Sequence, residues 1–363
     1  MMKIAILTDL FYPYQLGRAE RQFYEITSRL AKKHDVHVFT LNIEGQPSEE
    51  MVNNLHIHRF GYRQSMKKRS LFALTTFFLK TPFLLNRLRR FDIIHANQIA
   101  GMFSFFRYMI KRPFMLTIHD LYWDQWKKYY IFPFYYIGKA MELFYSKLFY
   151  NRIITVSEES KRKIRRLGFN SKIEIIPNGI DFNYINKIET KKENHIVYVG
   201  RLVNYKNVDK IIESMKDISM IFPKIELHII GSGPDKNRLE KLAKGLNVRF
   251  FGYLSEEEKF KEIKSARAFV SMSSVEGFGI SLLEAMACGT PVIARKLPAY
   301  DEFCNKDNSI LIEKDLSKII ISLLKDVDKQ KKLSVAGVKT AKRFDWDSVV
   351  EKLEEVYKSI LKS

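Results

Sequence analysis

Short runs rich in Ile and Val alternate along this chain with longer stretches whose apolar residues recur every three to four positions. "KIAILTD" (3–9) reads as a strand, "RQFYEITSRLAKK" (21–33) as a helix and "DVHVFTL" (35–41) as a strand. "DIIHA" (92–96), "PFMLTIH" (113–119), "RIITVS" (152–157) and "KIEIIP" (172–177) continue the series, each bounded by polar or turn residues. The pattern then restarts with "HIVYVG" (195–200), "KIELHIIG" (224–231), "NVRFFG" (247–252), "AFVSMS" (268–273) and "PVIA" (291–294). Strand–helix alternation predicts parallel sheets buried on both faces, hence an α/β protein of two doubly wound domains in tandem. The polar stretch "DFNYINKIETKKEN" separates the two series. The expected division is a first domain over 1–182, a linker over 183–194, a second domain over 195–343 and a C-terminal helix over 344–363.

Composition fits that picture. The 363 residues are 46% hydrophobic and 28% charged, enough for two packed cores and against global disorder. Two cysteines, Cys288 and Cys304, make no disulfide framework and point to a reducing compartment. The start, "MMKIAILTDLFYP", reads as a strand rather than a secretory leader. The longest apolar candidate, "LFALTTFFLKTPFLL" (71–85), is interrupted by Lys80 and Pro82 and is too short to span a bilayer. A cytoplasmic protein, soluble or peripheral, is expected.

In a doubly wound sheet ligands sit at the carboxyl ends of the strands, so the loops there carry the chemistry. "SVEGFG" joins a strand to the helix "ISLLEAMACG". Gly277 and Gly279 let the backbone approach a ligand, and the helix start offers amides to an anion. Glu276 lies on the loop and Glu284 a turn into the helix, where a carboxylate can accept from two vicinal hydroxyls; both can also be read as favourable charges near a helix start. "GRLVNYKNVD" (200–209) brings Arg201 and Lys206 to another strand end, a fork and a point charge suited to a diphosphate. "YPYQLGRAE" (12–20) forms a tight loop before a helix, and "TIHD" sets His119 at a strand end, where it can donate to a hydroxyl, handle a proton or serve structure alone.

These residues resemble the retaining glycosyltransferases of family 4, which have the GT-B fold. The motifs span most of the chain: "EGFGISLLE", "GRLVNYK", "IPNGID", "TVSEES", "LHIIGSGP", "FFGYLSEEE" and "EAMACGTPVIA". The resemblance implies two Rossmann-like domains facing a central cleft, with the C-terminal helix returning to the first. It implies a UDP- or GDP-linked sugar donor held mainly by the second domain, with no cofactor and no metal. Arg201 and Lys206 match the pair that holds the diphosphate, and Glu284 the carboxylate on the ribose. Glu276, with the backbone of Gly277, Phe278, Gly279 and Ile280, matches the donor-sugar contacts. Gly231, Tyr253 and Leu254 match the base region, His119 the histidine near the transferred sugar, and Gly17 the phosphate loop of the first domain. The family usually has a second glycine after Gly17, where this chain has Arg18, and often a glycine after the lysine, where it has Asn207.

"DVD" (326–328) and "DWD" (345–347) imitate a metal motif but sit where helix caps are expected; His56 and His58 share a strand face with no third ligand evident. "GSGP" lacks the last glycine of a dinucleotide fingerprint. The net charge of +20 is uneven: residues 1–185 hold 29 Lys and Arg against 15 Asp and Glu, the rest 32 against 26. Residues 102–150 hold 18 of the 48 aromatics, and "SMKKRSLFALTTFFLKTPFLLNRLRRF" mixes Leu and Phe with cations. A basic, aromatic first half predicts contact with an anionic membrane face and a lipid, lipid-linked or glycan acceptor. No nucleic-acid recognition motif accompanies the charge. A nucleotide-sugar epimerase of the same fold and a non-catalytic sugar-nucleotide-binding subunit are the competing readings.

Overall fold

The computed structural model describes residues 1–13, 18–64, 76, 80–119, 121 and 134–362. The chain divides into two compact units, residues 1–178 with 346–363, and residues 179–345.

The first unit is built on β1 (Lys3–Leu7), α1 (Arg18–Leu30), β2 (Asp35–Ile43), β3 (Glu49–Val52), β4 (Leu55–Gln64), α2 (Thr81–Leu88), β5 (Ile93–Asn97), a 3-10 segment (Gln98–Phe106), α3 (Arg107–Ile110), β6 (Phe114–Ile118), α4 (Phe134–Ser146), β7 (Arg152–Thr155), α5 (Glu158–Arg166) and β8 (Ile173–Ile175). Its sheet runs β3-β4-β2-β1-β5-β6-β7-β8, parallel except for the antiparallel β3. Alternation along β1 divides the core: Ile4 and Ile6 face one cluster with Phe23 and Ile26, while Ala5 and Leu7 face another with Leu88, Phe103 and Tyr145.

The second unit begins with α6 (Phe182–Lys187) and β9 (His195–Val199) and continues through α7 (Val208–Ile221), β10 (Glu226–Ile230), α8 (Lys236–Leu242), β11 (Val248–Gly252), α9 (Glu256–Ser265), β12 (Ala268–Ser271), α10 (Ile280–Ala287), β13 (Val292–Arg295), β14 (Ile310–Ile312), α11 (Leu316–Lys325) and α12 (Val327–Ala341). Its all-parallel sheet is ordered β11-β10-β9-β12-β13-β14.

One boundary differs from the sequence expectation, while the last helix returns to the first unit as expected. The polar run read as a linker opens with α6, because Asp181 caps it by accepting from the Tyr184 amide at 3.0 Å and Phe182 and Ile185 are buried. The last helix, α13 (Trp346–Leu361), returns to the first unit, where Trp346, Val349, Val350, Leu353, Tyr357 and Ile360 form one buried stripe against Ile4, Ile6 and Phe23. Each such side chain contributes roughly 1.5–3 kcal/mol when fully buried. Inside this packing, His95 Nδ1 meets the Tyr357 hydroxyl at 2.6 Å and Nε2 meets Thr117 Oγ1 at 2.6 Å.

Candidate active site

β9 and β12 are neighbours in the second sheet, so their exit loops lie side by side. From β9 the chain passes Gly200 and Arg201 into a short 3-10 turn, Asn204–Lys206, then enters α7. Asn207 closes that turn with φ +48° and donates from Nδ2 to the Met272 carbonyl at 2.9 Å; asparagine is among the few non-glycine residues that take this conformation readily. Ser274 ties the loops again, its amide donating to the Tyr205 carbonyl at 2.8 Å and its hydroxyl at 3.0 Å. The third tie carries charge: Lys206 Nζ donates to Glu276 Oε1 at 2.5 Å, with both side chains largely buried. Arg201, by contrast, is exposed and forms no ion pair among the described residues.

The α10 helix starts at Gly279, whose φ is +91°. A Cβ there would lie 2.4 Å from Tyr300 Cε1, so close packing as well as backbone conformation demands glycine. Gly279→Ala is expected to cost about 3 kcal/mol, combining left-handed strain with overpacking, and to lower the denaturant midpoint without changing the slope. Phe278 turns its side chain away from the loop into a cluster with Phe303 and Phe344, at ring distances of 5.2 and 6.1 Å. What Phe278 can offer a ligand is therefore backbone, while Ile280 is half-buried at the first helical position. Glu284, nearly buried, accepts from Lys259 Nζ at 3.0 Å, and Lys259 also holds Glu256 at 3.0 Å. The two glutamates of the loop and helix thus have separate cationic partners.

The neighbouring strand ends are glycine-lined for a steric reason. Gly231 has φ +130°, donates to the Gly252 carbonyl at 2.7 Å, and lies so close to β9 that a Cβ would be 2.0 Å from the Gly200 carbonyl oxygen. Beyond β11, Tyr253 stands 81% exposed and Leu254 half-buried.

His119 belongs to the first unit, directly after β6. Its carbonyl accepts from Ser160 Oγ at 3.3 Å and its ring meets Phe23 edge-on at 5.9 Å. Burial pushes its imidazole down to about 4, so near neutrality it is an uncharged hydrogen-bonding group. Gly17 lies outside the described residues; Arg18 is the first residue of α1.

Two residues here escaped the sequence reading. Lys259 sits in "EEEKFKEIK", which reads as a solvated helix face. Tyr300 is fully buried, and burial with the nearby Glu276 charge pushes its hydroxyl upward, so it stays protonated. The aspartate motifs serve structure: Asp326 accepts from the Lys329 amide at 2.8 Å, Asp345 from the Phe182 amide at 3.1 Å, and Asp347 pairs with Arg29 at 3.1 Å.

Two α/β units of this kind are shared with known proteins. The family model for "Glycosyltransferase Family 4" matches residues 19–184, and that for "Glycosyl transferases group 1" matches 181–340. The chain belongs to glycosyltransferase family 4 and has the GT-B fold. It is 27% identical to an uncharacterized glycosyltransferase of Methanocaldococcus jannaschii, covering 98% of both chains. It is 26% identical to the phosphatidyl-myo-inositol mannosyltransferase of Mycobacterium leprae, over 58% of this chain and 59% of that one. Among solved structures, Anabaena HepE in complex with UDP superposes with a TM-score of 0.77 at 17% identity, covering 99% of this chain and all of the other.

Proposed function

We propose that this chain is a retaining hexosyltransferase that moves a sugar from a UDP- or GDP-linked donor to a lipid, lipid-linked or glycan acceptor, without a metal. The observation that carries the reading is the sewn pair of loops with Lys206 held against Glu276 and, on the same loop, Arg201 exposed and in no ion pair among the described residues. As the sugar–phosphate bond breaks, charge collects on the diphosphate; fixed cations and the α10 amides stabilise it as it forms. Lys206 is positioned by Glu276 beforehand, and Arg201 remains available to a phosphate fork. Glu276 and Glu284 then serve as hydroxyl acceptors, on the donor sugar and the ribose, rather than as an acid–base pair. Acceptor attack from the leaving-group side gives retention. His119, neutral, contributes a hydrogen bond rather than a charge. Gly231, Tyr253 and Leu254 border the base.

The UDP named for HepE supports a nucleotide donor, and the lipid named for the mycobacterial enzyme supports a lipid acceptor. A thermal-shift panel of UDP- and GDP-sugars identifies the donor. Product anomers read by NMR test retention, and unchanged turnover in a chelator tests metal independence. An epimerase would isomerise the donor without releasing nucleoside diphosphate, and a binding subunit would release none; either outcome overturns the reading.

The acceptor side is read as peripheral on the inner face of an anionic membrane. No helix among the described residues is long and apolar enough to cross a bilayer. Phe83, Phe105, Tyr108 and Phe144 are exposed on α2, the 3-10 segment, α3 and α4. Arg89 Nε binds the Met109 carbonyl at 2.9 Å and Arg112 Nε the Arg89 carbonyl at 2.9 Å, so cations rim the same surface. The basic run 65–75 and the aromatic run 122–133 lie outside the described residues. Replacing Phe105 and Tyr108 by Ser should weaken sedimentation with anionic liposomes at least about tenfold, since each exposed ring can bury surface worth over 1 kcal/mol. Sedimentation indifferent to anionic lipid would rule out the electrostatic contribution.

A further inference from the structure

A histidine cluster in the first unit, at the opposite ends of the strands from His119, has no part in sugar transfer. Parallel register sets His37 of β2 opposite His56 of β4, and Phe39 opposite His58. Because alternate residues share a face, three imidazoles stand together: the His37 ring stacks on His56 at 4.4 Å and 16°, and on His58 at 5.1 Å and 13°. The sequence alone shows His56 and His58; the third member comes from a strand nineteen residues earlier and is visible only through register.

Two carboxylates bracket the cluster. His37 Nε2 is 3.0 Å from Asp35 Oδ1, His37 Nδ1 is 2.9 Å from His58 Nε2, and His58 Nδ1 is 3.2 Å from Glu49 Oε1. Each of these three contacts needs one cationic or hydrogen bridge. Two neutral imidazoles supply only two protons. Arg87, at 3.2 Å from Glu49 Oε1 and 3.3 Å from His58 Nδ1, can serve the Glu49 end, so two imidazole protons can satisfy the metal-free cluster. In the other tautomer, with His58 donating to Glu49 and His37 donating to His58, the His37 Nε2 lone pair points at Asp35 and is open to a cation. There a bare imidazole nitrogen faces a carboxylate oxygen, with His56, which makes no hydrogen bond among the described residues, beside them.

We propose that Asp35, His37 and His56 form a site for a borderline divalent transition metal of the Zn²⁺ class. Their ligand atoms all lie within 4.8 Å of one another, and two imidazoles with one carboxylate are the donor set such ions prefer. His37 would bind through Nε2 and pass its other N–H to His58, which donates to Glu49: a carboxylate-anchored relay that fixes the tautomer of a metal ligand. A cavity of about 240 Å³ lined by Lys3, Asp35, His37, Phe39, Arg87, Arg90 and Phe91 adjoins the site and leaves room for a solvent ligand, its cations weighing against affinity for a divalent ion. The ion would clamp β2 to β4 and is distinct from the transfer chemistry, which this proposal does not require.

The test is a titration of the chelator-stripped full chain with Zn²⁺ against a competing indicator, repeated with Co²⁺ to read the ligand field by visible absorption. One ion per chain is expected, with a Co²⁺ spectrum of low-symmetry, nitrogen–oxygen coordination. Binding should vanish in His37→Gln and in His56→Gln, which keep side-chain bulk, and weaken roughly tenfold in Glu49→Gln, the loss usual for an outer partner. Metal-free melts of both histidine variants matching the parent would show that the fold is retained. His228→Gln, which dismantles the separate His195–His228–Glu262 cluster of the second unit, should bind as the parent does. Absence of a one-to-one site, its survival in the His37 and His56 variants, or its loss in His228→Gln instead would overturn the proposal.

Discussion

Lys206→Ala is expected to lower the transfer rate by roughly a hundredfold to a thousandfold, the usual effect of deleting one preorganised donor to a developing anion. Lys206 is anchored by Glu276 on the neighbouring loop, and that loop is fastened to its own by Ser274 and Asn207. In the proposed reaction the ammonium would be in place before a diphosphate arrived, and little reorganisation would accompany bond cleavage. Removing it also leaves the largely buried Glu276 without its partner, so Lys206→Ala should melt lower than the parent as well as turn over more slowly. Lys206→Arg separates the two effects: charge survives, but a planar fork replaces the point charge at 2.5 Å, and rate should suffer more than stability. Steady-state kinetics with parallel melts decide it. Turnover of Lys206→Ala within a few-fold of the parent would remove Lys206 from the chemistry.

Acid should destabilise the first unit steeply between pH 6.5 and 4. Burial pushes His95 down to about 3 and His119 down to about 4 in the folded chain, whereas both take up protons near 6.5 when unfolded. Below 6.5 the unfolded state binds more protons, so stability is complete above that value and falls as the pH drops towards the folded pKa values. Each histidine contributes a slope of about 1.4 kcal/mol per pH unit, and the pair a loss on the order of 5 kcal/mol by pH 4. Denaturant midpoints followed from pH 7 to 4 would show the slope. In His119→Gln it should shrink by one proton's share; an unchanged slope would mean that His119 is not shielded from water.

Much of the fold was legible because parallel strands buried on both faces are written as continuous Ile and Val runs. β1, β5, β6 and β9 to β13 all match such runs. β3, β4 and β14 were harder: "EEMV" at the sheet edge and "HIHRF" in the strand beside it alternate polar with apolar, and β14 is only three residues long. The loops bearing Arg201, Lys206, Glu276 and Glu284 were identifiable by glycines and charge at strand ends. Their partners were not. Lys259 looks like any surface lysine until α9 packs beside α10, and Tyr300 reveals itself only as the wall against which Gly279 must be bare. The linker was misplaced because Phe182 and Ile185 are too few to signal burial within a charged stretch, and because the cap at Asp181 acts through local geometry.

Because α13 supplies six buried residues to a core otherwise made from the first half of the sequence, that core stays unfinished while residues 179–345 emerge from the ribosome. The nascent first unit must wait with Ile4, Ile6 and Phe23 uncovered and His95 without the hydroxyl of Tyr357. Its companion faces no such delay. The residues of the second unit are thus all present once position 345 has been added, whereas those of the first are complete only with the helix translated after it.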